Sequence, residues 1–344
     1  MPHLAPAVLV TGAAGFIGSH LVRAILDDER YQDFQIIAFD DLSGGFKENI
    51  PSHERVVFVQ GDISNANDVA ELYSKWPVRY VFHLAAYAAE GLSHFIRRFN
   101  YQNNLIGSVN LINESVKAGV QYFVFTSSIA VYGKGQVPMT EATVPHPEDP
   151  YGIGKLAVEL DLKSAADMFG LKSTVFRPHN VYGEYQNIGD RYRNVVGIFM
   201  NRMMQGLPLP IFGDGSQQRA FTYVADIIRP MLSAPFVQEA EGEAFNIGAS
   251  VPVSVRELVD VVASEFGGKP EIQFLAARNE VHLAWSDHSK ADRVFGASTE
   301  TPLAVGIRQM ARWAKQVGYR KSAAFENIEI EQGLPLSWRS PNND

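Results

Sequence analysis

Six short apolar runs recur along the first half of this chain, and they restrict the fold more than any other feature. They are AVLVTG (7–12), IIAFD (36–40), VVFVQGD (56–62), YVFHLAA (80–86), YFVFTSS (122–128) and STVFRP (173–178). Continuous runs of this kind, without in/out alternation, belong to strands buried on both faces of a parallel sheet. Helix-length amphipathic stretches separate them, at Gly18–Asp28, Asn67–Lys75, Asn103–Ala118 and Pro150–Phe169. Strand and helix in repeated alternation specify an α/β protein built on a doubly wound parallel sheet. Beyond Arg177 the rhythm fades into loops rich in Gly, Pro, Asn and Tyr, with further helices expected at 256–267 and 307–318. The expected division is a nucleotide-binding domain of residues 1–178, joined by about 217–250, and a smaller mixed α/β substrate-binding lobe. That lobe takes about 179–216 and 251–335, and the last dozen residues (333–344) read as a loose tail.

The first run leads into VLVTGAAGFIGSHL, where Gly12, Gly15 and Gly18 give G-x-x-G-x-x-G between a strand and a helix. That context gives the motif its meaning. The glycines permit a tight turn and close approach of the backbone to a pyrophosphate, and the helix start offers unpaired N–H groups to the anion. Asp40 ends the second strand, about 20 residues on, where a carboxylate accepts hydrogen bonds from an adenosine ribose. An acid there favours NAD over NADP, because a 2′-phosphate would meet like charge. Asp62, in QGDI, is a candidate for the adenine edge or a cap of its own loop.

Composition narrows the function classes. With 38 acidic residues against 30 basic ones, the net charge of -8 is the reverse of a generic nucleic-acid binder's. The lack of cysteine excludes disulfides, thiolate metal ligands and cysteine nucleophiles. The opening residues run straight into the glycine turn, as a first strand does and a secretory leader does not. No stretch approaches the roughly 18 apolar residues of a membrane span. A cytoplasmic enzyme with no metal, nucleic-acid or membrane partner is the expectation.

A second motif lies in EDPYGIGKLAVEL (148–160). Asp149 and Pro150 make a sensible helix start, and Tyr151 and Lys155 then share a helix face. A phenol titrating near 10 is a poor base at neutral pH, but a neighbouring ammonium and a cationic nicotinamide would lower that value. Such a tyrosine takes a proton from a hydroxyl while hydride leaves the same carbon. FTSSIAVYG offers Ser127 and Ser128 as partner hydroxyls at a strand's carboxyl end, where open α/β sheets bind ligands. Gly152 and Gly154 each cost about 1 kcal/mol of helix propensity relative to alanine, and are expected to let the cofactor or a partner helix come close.

In this order, the glycine turn, the strand-end serine and Y-x-x-x-K resemble the extended short-chain dehydrogenase/reductases. Within them the chain resembles the NAD-dependent nucleotide-sugar epimerase/dehydratase family. HLAA (83–86), NNLIGSVNL (103–111), RPHNVYG (177–183) and IFGDGSQQRAFTYVAD (211–226) match further blocks, so the resemblance runs from about Val8 to Gly296. It implies a Rossmann-like sheet and a catalytic trio of Ser128, Tyr151 and Lys155. Contacts to NAD are implied for Gly12, Gly15, Phe16, Ile17, Gly18, Asp40, Asp41, Asp62, Ile63, Leu84, Ala85, Ala86, Asn103, Tyr151, Lys155 and Pro178. Substrate contacts are implied for Ser128, Tyr151, Asn180, Arg219, Arg278 and Glu280, with Asn180 and Arg219 on the diphosphate. Arg219 also has a direct rationale, since guanidinium meets phosphate oxygens in two-pronged fashion; the alternative is a surface ion pair. His83 and His179 lie in apolar stretches and are expected to pack or to bind backbone. FMNRMM (199–204) reads as a helix's packing face.

Among the family's reactions, members that eliminate water carry an Asp-Glu pair just after the catalytic hydroxyl residue, and decarboxylating members keep the Glu. Those positions are Ile129 and Ala130 here, and neither moves a proton. The resemblance therefore implies 4-epimerisation of a nucleotide sugar, a UDP-hexose or its N-acetyl form. Hydride leaves C4 and returns to its other face, while Tyr151 handles the 4-hydroxyl proton. Ala88 replaces a lysine found in galactose-type epimerases, and Glu90 faces the sugar or starts a helix. Arg278 stands one position nearer its acid, Glu280, than the family pattern has it. Ala284 replaces a bulky aromatic that excludes N-acetylated sugars. Alternatives are a sugar-nucleotide oxidoreductase, epimerisation at another carbon, and a non-catalytic sensor. The family also implies a homodimer through helices 103–118 and 150–169.

Overall fold

The computed structural model describes residues 5–135, 137–277, 283–297, 300–322 and 325–339. Each of the six apolar runs forms a strand: β1 (Ala7–Thr11), β2 (Gln35–Asp40), β3 (Val56–Gln60), β4 (Val78–His83), β5 (Tyr122–Thr126) and β6 (Ser173–Pro178). The later strands are short: β7 (Val181–Tyr182), β8 (Leu209–Phe212), β9 (Gln218–Ala220), β10 (Thr222–Tyr223), β11 (Ala244–Ile247), β12 (Pro252–Ser254), β13 (Ile272–Leu275) and β14 (Leu283–Ala284). The main sheet has the order β11-β6-β5-β4-β1-β2-β3, and every neighbouring pair in it is parallel. Its chain order reverses between β1 and β4, which opens a crevice at their carboxyl ends. Around it lie small sheets, β7 with β10, β8 with β13, and β9 between β12 and β14.

The helices are α1 (Phe16–Asp27), α2 (Ala66–Lys75), α3 (Glu90–Ser93), α4 (Arg97–Tyr101), α5 (Gly107–Ala118), α6 (Pro150–Phe169), α7 (Val195–Gln205), α8 (Val224–Ser233), α9 (Val255–Phe266), α10 (Ser289–Phe295), α11 (Leu303–Val317) and α12 (Leu336–Arg339). Successive strand residues feed opposite faces of the sheet, and both faces are dry. Val8, Val10, Ile36 and Ala38 join α1 and α8 in one core, which continues through Phe199, Met200, Leu258 and Ile307. Leu9, Ile37, Phe39 and Val81 join α2, α5 and α6 in the other. Phe199 and Met200 confirm FMNRMM as a packing face.

Two expectations need correction. The helix read over 103–118 is interrupted: a π-helical turn, Gln102–Ile106, joins α4 to α5. Its extra residue turns Asn104 inward, where its side chain bonds the backbone N–H and carbonyl of Tyr87 at 2.8 and 3.1 Å. The stretch read as a loose tail is held in place through Arg339. Leu334 and Trp338 are buried in a cluster with Ala89, Leu92 and Ile96. Two large apolar side chains among polar neighbours carry no period, so composition alone hid the docking. Among the described residues, no helix is long and apolar enough to cross a membrane.

Candidate active site

The crevice at the carboxyl ends of the strands widens into a cleft of about 1150 Å³. One end is built by backbone. Gly12 takes φ +68°, and its position abuts Ala85, so a side chain there would be both strained and crowded. A Cβ on Gly18 would fall 2.1 Å from the Gly12 carbonyl, so only glycine lets α1 pack onto the turn. Asp40 ties the turn to β2: its carboxylate accepts from Ala14 N at 2.9 Å and Leu42 N at 2.8 Å. Burial raises its pKa, and those N–H groups oppose the rise. Gly12, Gly15, Phe16, Ile17, Gly18, Asp40, Asp41, Ile63, Leu84, Ala85, Ala86, Asn103 and Pro178 all line the cleft. The turn with its helix start, and an acid at the end of β2, fit a dinucleotide: the cradle is space that side chains would fill.

Asp62 stands apart from this group. Its carboxylate accepts from Ser64 N at 2.7 Å, the loop-cap role, and it does not line the cleft. Sequence reading missed the segment after β2. Ser43, Gly44 and Gly45 line the cleft, and a Cβ on Gly45 would sit 2.5 Å from Ala14. Its signal was the pair of glycines directly after DDLS.

The other end carries the side-chain chemistry. Asp149 caps α6 by accepting from Gly152 N at 2.9 Å, with Pro150 in the first turn. Tyr151 and Lys155 then face the ends of β5 and β6, and both are buried. The Lys155 ammonium donates to the Thr126 carbonyl at 2.7 Å and lies 5.8 Å from the centre of the Tyr151 ring. Ser128 caps the turn that follows β5, accepting from Ala130 N at 3.1 Å, and its hydroxyl neighbours the Tyr151 phenol. Ser127 points the other way, donating to Glu159 at 2.5 Å. The structure therefore brings Ser128, Tyr151 and Lys155 together and leaves Ser127 to support.

Electrostatics differ from the expectation of a phenol lowered by its lysine. Burial holds Tyr151 above the usual phenol range; the Ser128 hydroxyl opposes this, Glu90 and Asp149 add to it, and Arg193 opposes. Burial also draws Lys155 down to about 7, against the pull of Glu159. Desolvation outweighs the neighbouring charge on both groups, so the residues alone make a neutral phenol beside a lysine near neutrality.

Behind the trio runs a buried chain of polar contacts. Arg177 donates to Glu159 at 2.5 and 3.0 Å and to the Tyr132 hydroxyl at 2.7 Å. Tyr132 donates in turn to Asn246 on β11 at 2.8 Å. Gly152 lets α6 reach this region, since a Cβ there would meet the Ala130 carbonyl at 2.5 Å; Gly154 has only ordinary contacts, at 3.9 Å. Close approach thus belongs to Gly152 alone.

Asn180, at φ +42°, and Arg219, on β9, line both this cleft and a second cavity of about 520 Å³ that opens beside it. Arg278 and Glu280 lie outside the described residues. His83 bonds Thr11 and Ser108 hydroxyls at 2.7 and 2.8 Å, so it packs through side chains rather than backbone. His179 pairs with the Ala220 carbonyl and, stacked, with His288, each at 3.0 Å. Glu90 begins α3 and also lines the cleft, joining both of its expected roles. Tyr87, His94, Arg193 and Trp338 line it too, without a motif to announce them.

This geometry has close counterparts. A UDP-glucose 4-epimerase of Mycolicibacterium smegmatis is 35% identical over 305 residues, which is 87% of this chain and 95% of that protein. The solved UDP-glucose 4-epimerase of Thermotoga maritima, bound to UDP-glucose, superposes with a TM-score of 0.84 at 34% identity, covering 90% of this chain and 99% of its own. A UDP-N-acetylglucosamine 4-epimerase from Methanobrevibacter ruminantium, bound to UDP-N-acetylmuramic acid, gives 0.83 at 28% identity, with 91% and 99% covered. The model of the NAD dependent epimerase/dehydratase family matches residues 8–248, most of the chain. With the glycine turn, Asp40 and the Ser128/Tyr151/Lys155 trio assembled in one cleft, this chain belongs to the NAD dependent epimerase/dehydratase family, with NAD as its cofactor.

Proposed function

We propose that this chain is a cytoplasmic nucleotide-sugar 4-epimerase acting on a UDP-hexose or its N-acetyl form. The observation that carries the reading is the wall beside Ser128. Ile129 and Ala130 follow it along the cleft, so the two positions directly after Ser128 hold no proton-transfer group, and Tyr151 is the one beside it. One group that takes a hydroxyl proton and returns it suffices for epimerisation, whereas elimination needs an acid and a base. NAD, held by the glycine turn, Asp40 and Asn103, supplies reversible hydride chemistry at the sugar carbon. Ser128 orients the sugar hydroxyl toward the Tyr151 oxygen, Lys155 lies 5.8 Å from the centre of the Tyr151 ring, and the cationic nicotinamide of bound NAD would move the phenol toward ionisation. Burial of both excludes water from the proton's path. Asn180 and Arg219, at the junction of the two cavities, are suited to the diphosphate, and the second cavity to the base.

Ala284 is buried in the cleft wall against Val131, Tyr132 and Met139, and it supports room for an acetamido group. Incubation with UDP-glucose and with UDP-N-acetylglucosamine, followed by product NMR and absorbance at about 340 nm, tests the reading. The C4 epimer without net reduced cofactor is expected; a 4-keto-6-deoxy product or steadily growing absorbance would refute it. Ala284→Tyr should abolish turnover of the N-acetylated sugar and spare UDP-glucose. We propose further that the chain dimerises through α5 and α6, where Ile153, Leu160 and Met168 are exposed at 40%, 60% and 74%. Sedimentation at micromolar concentration checks that.

A further inference from the structure

The segment from Phe325 to Arg339 is built into the catalytic cleft. Backbone N–H groups of Glu329 and Ile330 donate to the Phe95 carbonyl at 2.8 and 3.2 Å. The Glu329 carboxylate accepts from the N–H groups of Arg98 and Phe99, both at 2.8 Å, and so caps α4. Phe325 N donates to the Tyr192 hydroxyl at 3.0 Å, and the Phe325 ring packs edge-on to Phe99 and tilted on Tyr87. The segment therefore fastens together two cleft-lining stretches, 87–99 beyond β4 and the loop around Tyr192, which already meet where the Arg193 guanidinium packs on the Tyr87 ring at 4.6 Å. Trp338 completes the clasp. Its indole stands edge-on to Tyr192 at 5.3 Å and to Phe95 at 6.2 Å, and it is only 5% exposed.

The same segment supplies surface to the cavity itself. Gly333, Pro335 and Trp338 line the cleft, where the indole lies against Gly91, next to Glu90, 3.4 Å from where a Cβ would stand; Trp338 also borders the neighbouring cavity. Its neighbours bear on the catalytic tyrosine. Glu90 and Arg193, which push the Tyr151 phenol in opposite directions, sit on the two stretches that the segment joins. About a tenth of this chain has no counterpart in the Thermotoga maritima epimerase, although nearly all of that protein is matched. From this geometry we infer that Trp338 is a specificity-determining residue. Its indole forms an outer wall of the sugar subsite, against which one face of the hexose packs. Aromatic rings offer large, rigid apolar surface of the kind a sugar's C–H face needs.

The inference rests on the epimerase reading, and the test separates the two. Trp338→Ala and Trp338→Phe are compared with the parent for NAD content, melting, KM and kcat for UDP-glucose, and competitive inhibition by UDP. Trp338→Ala is expected to raise KM about tenfold with kcat within about threefold, the signature of lost uniform binding. Inhibition by UDP should change less than about threefold, and Trp338→Phe should restore most of the KM. An unchanged KM overturns the inference, as does an equal loss for UDP, which would make Trp338 a nucleotide contact. Should Trp338→Ala fail to fold, Glu329→Gln, which loosens the α4 cap at a distance from the cleft, replaces it. It must raise KM in the same sense, or the inference fails. A parent enzyme that leaves every UDP-hexose unchanged would instead refute the epimerase reading, and this inference with it.

Discussion

The two ends of the cleft are made by different means. At the cofactor end, Gly12, Gly18 and Asp40 come from the turn after β1, the start of α1 and the end of β2, and the shape follows from what backbone can do without side chains. At the other end, which we propose takes the sugar, Glu90, Ser128, Tyr151, Arg193 and Trp338 arrive from separate parts of the chain, and side-chain packing sets the shape. A backbone site tolerates almost no substitution but needs little from the rest of the molecule. A side-chain site can be retuned residue by residue, provided that its supports hold. One fold can therefore keep its cofactor while its substrate changes.

That contrast can be broken most severely at Gly18. Gly18→Ala forces a Cβ to 2.1 Å from a carbonyl oxygen, so the purified protein should lack bound NAD and lose about 1–3 kcal/mol or more of stability. Retention of NAD would end the argument for a backbone-made site. Tyr151→Phe should cut turnover by about 100- to 10,000-fold while NAD content stays whole, since only the sugar end is touched.

Acid should weaken both ends together. His83 and His179 are held down at about 3, and His288 at about 4, chiefly by burial. With folded values below the ordinary 6.5, the unfolded chain takes up protons first, so stability present above pH 6.5 is lost as pH falls toward 4. Each histidine contributes a slope approaching about 1.4 kcal/mol per pH unit. Denaturant titrations between neutral and acid pH measure it, and His288→Asn should make the slope shallower. The smallest effect is expected at Gly154. Its Cβ would meet only Asn100 and Tyr101, at 3.9 Å, so Gly154→Ala should leave turnover unchanged and stabilise by about 0.4–1 kcal/mol. A large loss there would return Gly154 to the catalytic face.

Legibility in the sequence follows the same divide. Buried parallel strands must be continuous apolar runs, so all six were visible, and Asp149-Pro150 marked the start of α6 to the residue. β11 has only four residues, too few to show a period although Gly242 and Gly248 flank it, and it was missed. The glycine turn announced itself because its chemistry is local. The Glu159–Arg177 pair, the inward Asn104 and the docked Trp338 depend on partners 18, 17 and more than a hundred residues away. The opposing pKa directions at Tyr151 and Lys155 depend on burial, which no spacing reveals. Asp62, read as a candidate for the adenine edge or for a cap of its own loop, is seen in the second role, which needs a partner only two residues away.

The polar chain from Ser127 through Glu159, Arg177 and Tyr132 to Asn246 has a consequence for how the molecule opens. It joins the end of β5, the middle of α6 and the sheet's outermost strand. A fluctuation that frees the Ser127–Ser128 turn must first expose a buried guanidinium and a buried carboxylate, which is costly in a dry interior. Fraying of the β11 edge and opening of the turn are thereby made a single event. Amide protons at Ser127 and Asn246 should exchange with solvent on one shared, slow clock, although they stand 119 positions apart in the chain.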